Sequence, residues 1–335
     1  MIDGTDVVAT LADADGNALA PLIVLDRLAA FLGEHDLGGE LTRVERIGVP
    51  GGSNFSFLLE TERGRFVLRR PPRPPLPPSA HDMVREARLQ VALAAQGVKV
   101  PPIAAVGVDA SVLGAPFYVM PFLEGAIGDT VAPEPELVDD LVDTLAAIHA
   151  VDVQAPGLAD FIRPGDYAER QVRRWTGLWD LNATRDLPVP ELARRMAERI
   201  PAAWPLAVVH GDYRLGNVIV AGEPPRIAAV LDWEMGAIGD ARADVGYLVS
   251  TWAPPPGFPA ATDLVARYEA ATGHALERLA WFEALALWKA SVFCEAIYGR
   301  FVRGELGDAP QAERFRESVP ELVAGAFAAL DRDAE

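Results

Sequence analysis

Two short apolar runs interrupt the second half of the chain, and each is followed by polar residues. The first run, 206–209, precedes HGDYRLGN, in which Asp212 and Asn217 lie five residues apart; the second run, 227–231, precedes Asp232. Runs of four or five apolar residues bounded by polar residues and glycines are typical of buried β-strands. Two such strands that end side by side would bring the carboxylate and amide groups into one pocket.

The residue types at these strand ends suit the transfer of a phosphoryl group. That reaction needs hard oxygen ligands for Mg²⁺ and one carboxylate outside the metal shell to accept the proton of an attacking hydroxyl. In a kinase catalytic loop an Asp acts as this base, an Asn five residues later binds Mg²⁺, and an Asp at a nearby strand end binds it as well. Asp212, Asn217 and Asp232 have this spacing and order.

The region before residue 124 has a different pattern from the rest. LTRVERIG, FSFLLETE, GRFVLRR, IAAVGVD and APFYVMPF are short runs rich in β-forming residues and separated by glycine-containing or proline-rich segments. They predict an antiparallel sheet of five strands, with one helix at 80–96 inserted after the third strand. The Pro-rich segment 71–80 is predicted to be an extended connection.

Helical periodicity predominates after Glu134 and also appears once near the start of the chain. Residues 1–20 are weakly patterned and are predicted to be a frayed end. The helices predicted outside the small sheet are 21–34, 136–150, 166–181, 191–200, 241–252, 261–272, 276–302 and 311–330.

HGDYRLGN, followed by VLDWEMGAIGDARADVG, resembles the aminoglycoside phosphotransferase family, and the resemblance extends from about Leu41 to the C-terminal helices. GGSNFSFLL, FVLRR, PSAH and FYVMPFLEG are similar to the branch also found as a kinase domain fused to acyl-CoA dehydrogenases. The resemblance implies an α+β fold of the two-lobed protein-kinase-like type. An N-terminal extension and helix (1–40) would come first. The N-lobe (41–123), a small antiparallel β-sheet with one helix, would bind nucleotide. The larger, mainly helical C-lobe (124–335) would carry out catalysis and substrate binding.

The resemblance also implies roles for the residues of the two strand ends. Asp212 matches the catalytic base of the family, and Asn217 and Asp232 match its Mg²⁺ ligands. His210 is expected to orient the loop by hydrogen bonding, and Asp244 matches a carboxylate that accepts backbone N–H bonds from the loop. The implied cofactors are ATP and Mg²⁺.

Four residues are expected to contact the phosphates or support that contact. Ser53 and Asn54 lie in the turn VPGGSNFSF, where glycines allow backbone N–H groups to approach phosphates. Arg69, at the end of FVLRR, is expected to bind phosphate and to pair with Glu86 of the following helix, at a position where many relatives have lysine. Whether Arg69 or Arg70 contacts the phosphates is left open by the sequence.

The strand that leaves the small sheet is expected to contact the adenine ring. Backbone groups near 121–123 would face the edge of the adenine, and Met120 and Phe122 would supply apolar cover.

The composition limits the kinds of partner. The formal net charge of −18 argues against a nucleic-acid binder, which needs a basic surface. Lysine occurs only at Lys99 and Lys289, and Cys294 is the single cysteine, so an intrachain disulfide is excluded and a cytoplasmic location is expected. No run approaches the roughly 18 apolar residues of a membrane span. The expected partner is a small hydroxylated molecule, and the sequence does not indicate an oligomeric state.

Other interpretations stay open at this level. The family name suggests an aminoglycoside as the acceptor, whereas the branch resemblance points toward hydroxylated acyl groups, including CoA thioesters, or some other metabolite. A catalytically inactive nucleotide-binding protein is favoured only by Arg69. A metallophosphoesterase needs several converging His ligands, and the five histidines include no H-x-H pair. His149 is predicted to be structural, and Ser79 is predicted to be a helix N-cap.

Overall fold

The computed structural model describes residues 6–48, 54–73, 81–132, 134–254, 258–304 and 312–333. The chain divides into two compact units. One consists of Met1–Gly125 with Ala229–Glu234, and the other of Ala126–Ala228 with Met235–Glu335. We call them the sheet unit and the helical unit.

The sheet unit contains the predicted five-stranded antiparallel sheet, which is confirmed. Its strands follow the order β3-β4-β5-β7-β6. The helix between the third and fourth strands is α2, Met83–Ala95, which begins three residues later than predicted. The strands are β3 (Leu41–Ile47), β4 (Phe55–Thr61), β5 (Gly64–Arg70), β6 (Ala105–Gly107) and β7 (Phe117–Pro121).

The start of the chain differs from the prediction. Val7–Val8 (β1) pairs in parallel with Ile23–Val24 (β2), so part of the stretch predicted to be frayed is a strand. The helix predicted at 21–34 begins only at Leu25 and runs to Glu34 (α1). Pairing with distant residues takes Ile23–Val24 away from the helix that their local spacing indicates.

Side chains along β5 alternate between the two faces of the sheet, so that apolar residues and Arg69 lie on opposite faces. Phe66 and Leu68 lie on one face of the sheet, in a core that includes α1. Arg69 lies on the opposite face, because successive side chains in a strand point to opposite sides. Tyr118, its partner on β7, packs there against Met83 of α2. This alternation places the last arginine of the strand, Arg70, on the α1 side.

The helical unit has the helices that the periodicity predicts, with ends displaced by up to four residues. One of them, Ala261–Thr272, matches exactly. The helices are α3 (Pro135–His149), α4 (Tyr167–Asn182), α5 (Val189–Glu198), α6 (Arg242–Thr251), α7 (Ala261–Thr272), α8 (Leu279–Val302) and α9 (Phe315–Arg332).

Short strands besides β1 and β2 also occur outside the five-stranded sheet. They are β8 (Ala126–Ile127), β9 (Leu206–Val209), β10 (Val218–Ala221), β11 (Arg226–Val230) and β12 (Ala237–Asp240). The strands that precede Asp212 and Asp232 are not hydrogen-bonded to each other. β9 pairs with β12, whereas β11 belongs to a sheet of order β11-β10-β8.

The core of the helical unit lies among α4, α5, α8 and α9, and includes Trp175, Trp179, Trp281 and Trp288. Helix α6 crosses α8 closely at Gly246, where an added Cβ would lie 2.7 Å from the carbonyl carbon of Phe282. This contact places α6, which carries Asp244 and Tyr247, directly against α8. Among the described residues, none of the helices has the length and apolar character needed to cross a bilayer.

Candidate active site

The loop after β9 is held in a conformation that requires glycine at position 211. Gly211 has φ +86°, and an added Cβ would lie 2.8 Å from the Cβ of Met235. Both the backbone angle and the available space exclude a larger residue. The turn therefore directs the chain sharply from the buried end of β9 to Asp212.

Asp244 of α6 holds this turn in place through hydrogen bonds to its backbone. Its carboxylate, fully buried, accepts the backbone N–H of His210 at 2.6 Å and that of Gly211 at 2.7 Å. His149 lies 3.1 Å from the same carboxylate through Nε2, and its Nδ1 lies 2.6 Å from the Tyr268 hydroxyl. Burial by itself raises the pKa of Asp244, but the hydrogen bonds and the charge interactions with the histidines hold it below its usual value. The structure thus contains the expected N–H bonding to Asp244, and His149 supports that carboxylate.

Asp212 and Asn217 lie together in the helical unit. The Asn217 side-chain amide donates to the backbone carbonyl of Asp212 at 2.8 Å and to its Oδ2 at 2.7 Å. The N–H of Asp212 donates to Nδ1 of His210 at 3.1 Å, which is the orienting bond expected of that histidine. Because the amide nitrogen of Asn217 is used in this way, its Oδ1 is the atom oriented for a cation.

Tyr247 of α6 is a further partner of Asp212. Burial raises the pKa of Tyr247, and the negative charge of Asp212 and the hydrogen bond to it raise this pKa further. The phenol of Tyr247 thus lies within electrostatic range of the Asp212 carboxylate. Nothing in its local sequence marks Tyr247, and only the crossing of α6 with α8 brings it to the site.

In the sheet unit, Arg69 lies among three carboxylates. Its Nε is 3.4 Å from Glu86, one of its terminal nitrogens bonds Asp232, and the same nitrogen is 3.8 Å from Glu234. Burial lowers the pKa of Arg69, but the charges of the surrounding carboxylates raise it well above its usual value. The predicted pair of Arg69 with Glu86 is present, and Asp232 joins it.

Asp232 adopts an unusual backbone conformation, with φ +64°. A positive φ in a residue other than glycine is costly and is often found at functional sites. The segment is held by Val230, whose N–H donates to the carbonyl of Lys99 at 2.7 Å, and by the fully buried Trp233. The strained residue is thus fixed between two anchored neighbours.

Asn54 joins the same group of side chains through Glu234. Its amide donates to Glu234 at 2.7 Å, and its Oδ1 lies 2.8 Å from Nδ1 of His81. Ser53 and Ser79 lie outside the described residues. The cap of α2 is Asp82, whose side chain accepts the N–H of Arg85 at 2.9 Å, so the expectation of a Ser79 cap is wrong.

Arg70 is engaged elsewhere than Arg69. Its guanidinium donates to the backbone carbonyls of Pro71, Leu22 and Leu113, and its side chain is almost fully buried. These bonds tie the N-terminal segment to the sheet. Arg69 is therefore the arginine that faces the carboxylates.

The two residues expected at the adenine lie at the end of β7. Met120 packs against the cluster of Met83 and Tyr118. The ring of Phe122 lies 4.5 Å below the guanidinium carbon of Arg65, and its N–H donates to the Arg65 carbonyl at 2.9 Å. Because this N–H is already used, a hydrogen bond to adenine has to come from another backbone group.

No group of three or more His, Cys, Asp or Glu side chains suited to a metal ion occurs among the described residues. Mg²⁺ in phosphoryl transfer uses one or two protein ligands together with phosphate oxygens and water, so such a site does not require a cluster of three protein ligands. The metallophosphoesterase interpretation, in contrast, has no support among these residues.

Comparison with known proteins defines the class and then the family. In the Ralstonia eutropha structure titled a putative aminoglycoside phosphotransferase, 98% of the chain superposes on 91% of the present chain, with a TM-score of 0.76 and 29% identity. The protein thus has the protein-kinase-like fold of the aminoglycoside phosphotransferases, and the two-lobed α+β prediction is confirmed. The model of the phosphotransferase enzyme family matches residues 45–282. The chain belongs to this family.

Two curated relatives carry the domain within much longer proteins. Acyl-CoA dehydrogenase family member 10 of Mus musculus is 36% identical over 241 residues, which are 69% of this chain and 22% of the relative. Acyl-CoA dehydrogenase family member 11 of Gallus gallus is 31% identical over 300 residues, which are 82% of this chain and 38% of the relative. The present chain thus spans well under half the length of these relatives, and the resemblance to the branch fused to acyl-CoA dehydrogenases is confirmed.

Proposed function

We propose that the protein is an ATP- and Mg²⁺-dependent kinase that transfers the γ-phosphoryl group to a hydroxyl of a small molecule. The hydroxyl oxygen forms a bond to the γ-phosphorus, its proton passes to the Asp212 carboxylate, and the bond from phosphorus to ADP breaks. The products are a phosphate ester and ADP. The observation that carries the proposal is the double hydrogen bond from Asn217 to Asp212, in a loop fixed by buried Asp244.

Asn217 and Asp232 are the residues proposed to hold Mg²⁺. Asn217 presents Oδ1 because its nitrogen donates to Asp212, and Asp232 contributes a carboxylate that is paired with Arg69. When bound, the ion would neutralise phosphate charge during the transfer. Asp212 is left outside the metal shell, where it accepts a proton.

The proposed nucleotide contacts lie in the sheet unit. Arg69 supplies a guanidinium for phosphate oxygens, and its Nε and the Oε2 of Glu86 are buried without a hydrogen-bond partner among the described residues. Arginine binds phosphate with two parallel bonds, so it suits this role although its geometry differs from that of lysine. Ser53, Asn54, Met120 and Phe122 are proposed to line the rest of the nucleotide site.

A catalytically inactive nucleotide-binding protein is the second candidate. It has one observation in its favour, the arginine at position 69. The pairing of Arg69 with both Glu86 and Asp232 weighs against it, since an arginine in this position makes the contacts that a catalytic cation makes. We also propose a cytoplasmic location, which the single cysteine supports because it fits a reducing compartment.

The decisive variant is Asp212→Asn, tested by ADP release and by nucleotide titration. We expect transfer to fall about 10²- to 10⁴-fold, because the base is lost, while ATP affinity is kept, because the base acts on the acceptor. Asp180→Asn, which removes an exposed carboxylate of α4, serves as the control with unchanged transfer. Equal loss of ATP binding and transfer in Asp212→Asn would contradict the assignment.

The acceptor is sought in the same assay. The family name favours an aminoglycoside, whereas the acyl-CoA dehydrogenase relatives favour a hydroxyacyl compound. Aminoglycosides, sugars, choline-like alcohols and hydroxyacyl-CoAs are compared for ADP release above the acceptor-free rate. Release with none of them, together with intact ATP binding, would favour the inactive candidate.

A further inference from the structure

Lys289 lies in the middle of α8 and reaches the loop that carries the proposed base. Only 8% of its surface is exposed, and its ammonium donates to the backbone carbonyl of Gly211, 78 residues away in the sequence. The sequence contains one other lysine, Lys99. Removing an ammonium from water costs free energy, so contacts that offset this cost are expected around it.

The peptide unit between Gly211 and Asp212 is held at both of its polar groups. Its carbonyl, that of Gly211, accepts from the Lys289 ammonium, and its N–H, that of Asp212, donates to Nδ1 of His210 at 3.1 Å. A peptide unit is planar and moves as one body, so bonds at both polar groups fix its position. The Cα of Asp212 belongs to this unit. The ammonium of Lys289 therefore helps to set where the side chain of the base begins.

The N–H groups of the same loop are held by the opposite charge. Those of Gly211 and His210 donate to the Asp244 carboxylate at 2.7 Å and 2.6 Å. Helix α6 thus supplies an anion for the N–H groups of the loop, and α8 supplies a cation for its carbonyl. Charge-assisted bonds of this kind are roughly twice as strong as bonds between neutral groups. The left-handed turn at Gly211 is held by both helices.

Three aromatic rings surround the ammonium of Lys289. The ring centroid of Tyr247 lies 4.9 Å from Nζ, that of Trp175 5.8 Å and that of Phe293 6.0 Å. A cation within about 6 Å of a ring centroid is stabilised by the negative face of the ring. The rings thus offset part of the lost hydration and confine the ammonium to the position from which it bonds Gly211. A neutral side chain would lack this stabilisation.

We propose that Lys289 is a positioning residue for the base Asp212, and that it acts through the peptide unit between Gly211 and Asp212. The inference rests on the proposed function and adds a residue to its machinery. Displacement of a catalytic geometry by about 1 Å costs about 10²-fold in rate. The proposed nucleotide contacts belong to the sheet unit, whereas Lys289 belongs to the helical unit. Loss of the ammonium should therefore lower kcat and leave the KM for ATP unchanged.

A purely structural role for Lys289 predicts a different result. An ammonium that only stabilised the helical unit would lower the midpoint of unfolding, and the rate would fall only in proportion to the unfolded fraction. Its effect on kcat would also be the same whichever side chain stands at position 212. Kinetics of folded variants, a double-mutant cycle and amide exchange separate the two roles.

The kinetic test compares two substitutions of Lys289. Lys289→Met removes the ammonium, and Lys289→Arg keeps a cation among the rings. ADP release from Mg·ATP is followed without acceptor, where water attacks, and with the most active of the aminoglycosides, sugars, choline-like alcohols and hydroxyacyl-CoAs compared above. We expect kcat of Lys289→Met to fall about 10- to 100-fold with the KM for ATP unchanged, and Lys289→Arg to regain about tenfold. Arg173→Met, which removes an exposed cation of α4, is the control with both values unchanged.

A double-mutant cycle tests whether the effect passes through the base. In the Asp212→Asn background the carboxylate that Lys289 positions is already lost, so adding Lys289→Met should lower kcat by less than about twofold. A further fall of about 10- to 100-fold would show that Lys289 acts by another route and would overturn the inference. A rise of the KM for ATP as large as the fall of kcat in Lys289→Met would overturn it as well.

Amide hydrogen exchange tests the loop without ligand or turnover. In Lys289→Met the amides of His210, Gly211 and Asp212 should exchange about tenfold faster, whereas those of α3 should follow global stability alone. Lys289→Gln, which keeps a neutral donor, gives the same comparison if Lys289→Met does not fold. Unchanged exchange at the three amides would overturn the inference. Faster exchange in a protein whose wild type releases no ADP would support the positioning of the loop and contradict the kinase function alone.

Discussion

Arg69 shows how one residue in a strand acquires several ionic partners. Lysine presents a single point charge, whereas the guanidinium of arginine is planar and presents five donors. In the sheet unit this group pairs with Glu86 and bonds Asp232. The guanidinium thus holds the proposed metal ligand and the supporting glutamate in one cluster, and its loss should affect both stability and nucleotide binding.

Arg69→Met is expected to lower the free energy of unfolding by about 3 kcal/mol, because Glu86, with 1% of its surface exposed, loses its counter-charge. The KM for ATP should rise about tenfold or more, since a charge-assisted phosphate contact is lost. Denaturant unfolding and ADP-release kinetics measure the two effects. In Arg69→Met with Glu86→Gln, much of the stability should return, while the KM should stay high.

Arg70→Met is the matched control for that prediction. Its guanidinium bonds backbone carbonyls on the other side of the strand, so stability should fall by about 1 to 3 kcal/mol while the KM for ATP stays unchanged. An equal rise of KM in both variants would show that the alternation of β5 does not separate the two roles.

Asp244 should make stability depend on pH in the acid range. Its pKa in the folded protein is lower than the ordinary aspartate value of 3.8, so its stabilising effect is fully present above about pH 4 and is lost as the pH falls through the folded value. We expect Asp244→Asn to lower the free energy of unfolding by about 2 to 4 kcal/mol at pH 7. The difference in free energy of unfolding between the wild type and this variant, measured by urea unfolding, should stay constant from pH 7 to 5. It should become smaller below about pH 4. A gap that widens in acid would mean that the carboxylate is destabilising when charged.

At the level of elements, the crossing of α6 and α8 brings Asp244, Tyr247 and Lys289 to one loop, where the ammonium of Lys289 donates to the carbonyl of Gly211. Gly246→Ala would place a Cβ 2.7 Å and 2.9 Å from backbone atoms of Phe282 and Glu283, which cannot yield as a side chain can. We expect a loss of about 1 to 3 kcal/mol in the free energy of unfolding.

Gly177→Ala in α4 provides the comparison for this helix crossing. Position 177 is helical and has nothing within 4 Å of an added Cβ, so alanine should stabilise the protein by about 0.5 to 1 kcal/mol. Urea unfolding of both variants measures the two changes in the free energy of unfolding, which should have opposite signs. Similar effects at 177 and 246 would indicate that helix propensity alone, rather than the crossing, sets the response.

The same elements show what the sequence reveals and what it leaves hidden. Helix α7 is predicted to the residue because it is followed by Gly273, which has φ +73° and caps the helix. Strand β12 is not predicted, since Ala237–Asp240 has weak strand propensity and forms only by pairing with β9. Sequence motifs reveal four of the proposed site residues: Asp212, Asn217, Arg69 and Glu86. Helix packing, which no motif reveals, brings Tyr247 and Lys289 to the loop of Asp212.

For the molecule as a whole, charge is the property that the sequence fixes most directly. The formal net charge of −18 at pH 7 is spread over 335 residues. Like charges repel in the compact state more than in the extended chain, so this excess opposes folding. The Debye length falls from about 30 Å at 10 mM salt to about 8 Å at 150 mM, which screens most of that repulsion.

We therefore expect the midpoint of thermal unfolding at pH 7 to rise by about 1 to 2 °C between 10 and 150 mM NaCl, because about 1 kcal/mol of repulsion is relieved. KCl should give the same rise, since screening depends on ionic strength and not on the identity of the cation. Near the isoelectric point of about 4.7 the rise should vanish, because the net charge is then close to zero. A rise that persists at that pH, or that appears with only one of the two salts, would indicate that a specific ion binds the folded protein, which stabilises it by mass action and not by screening.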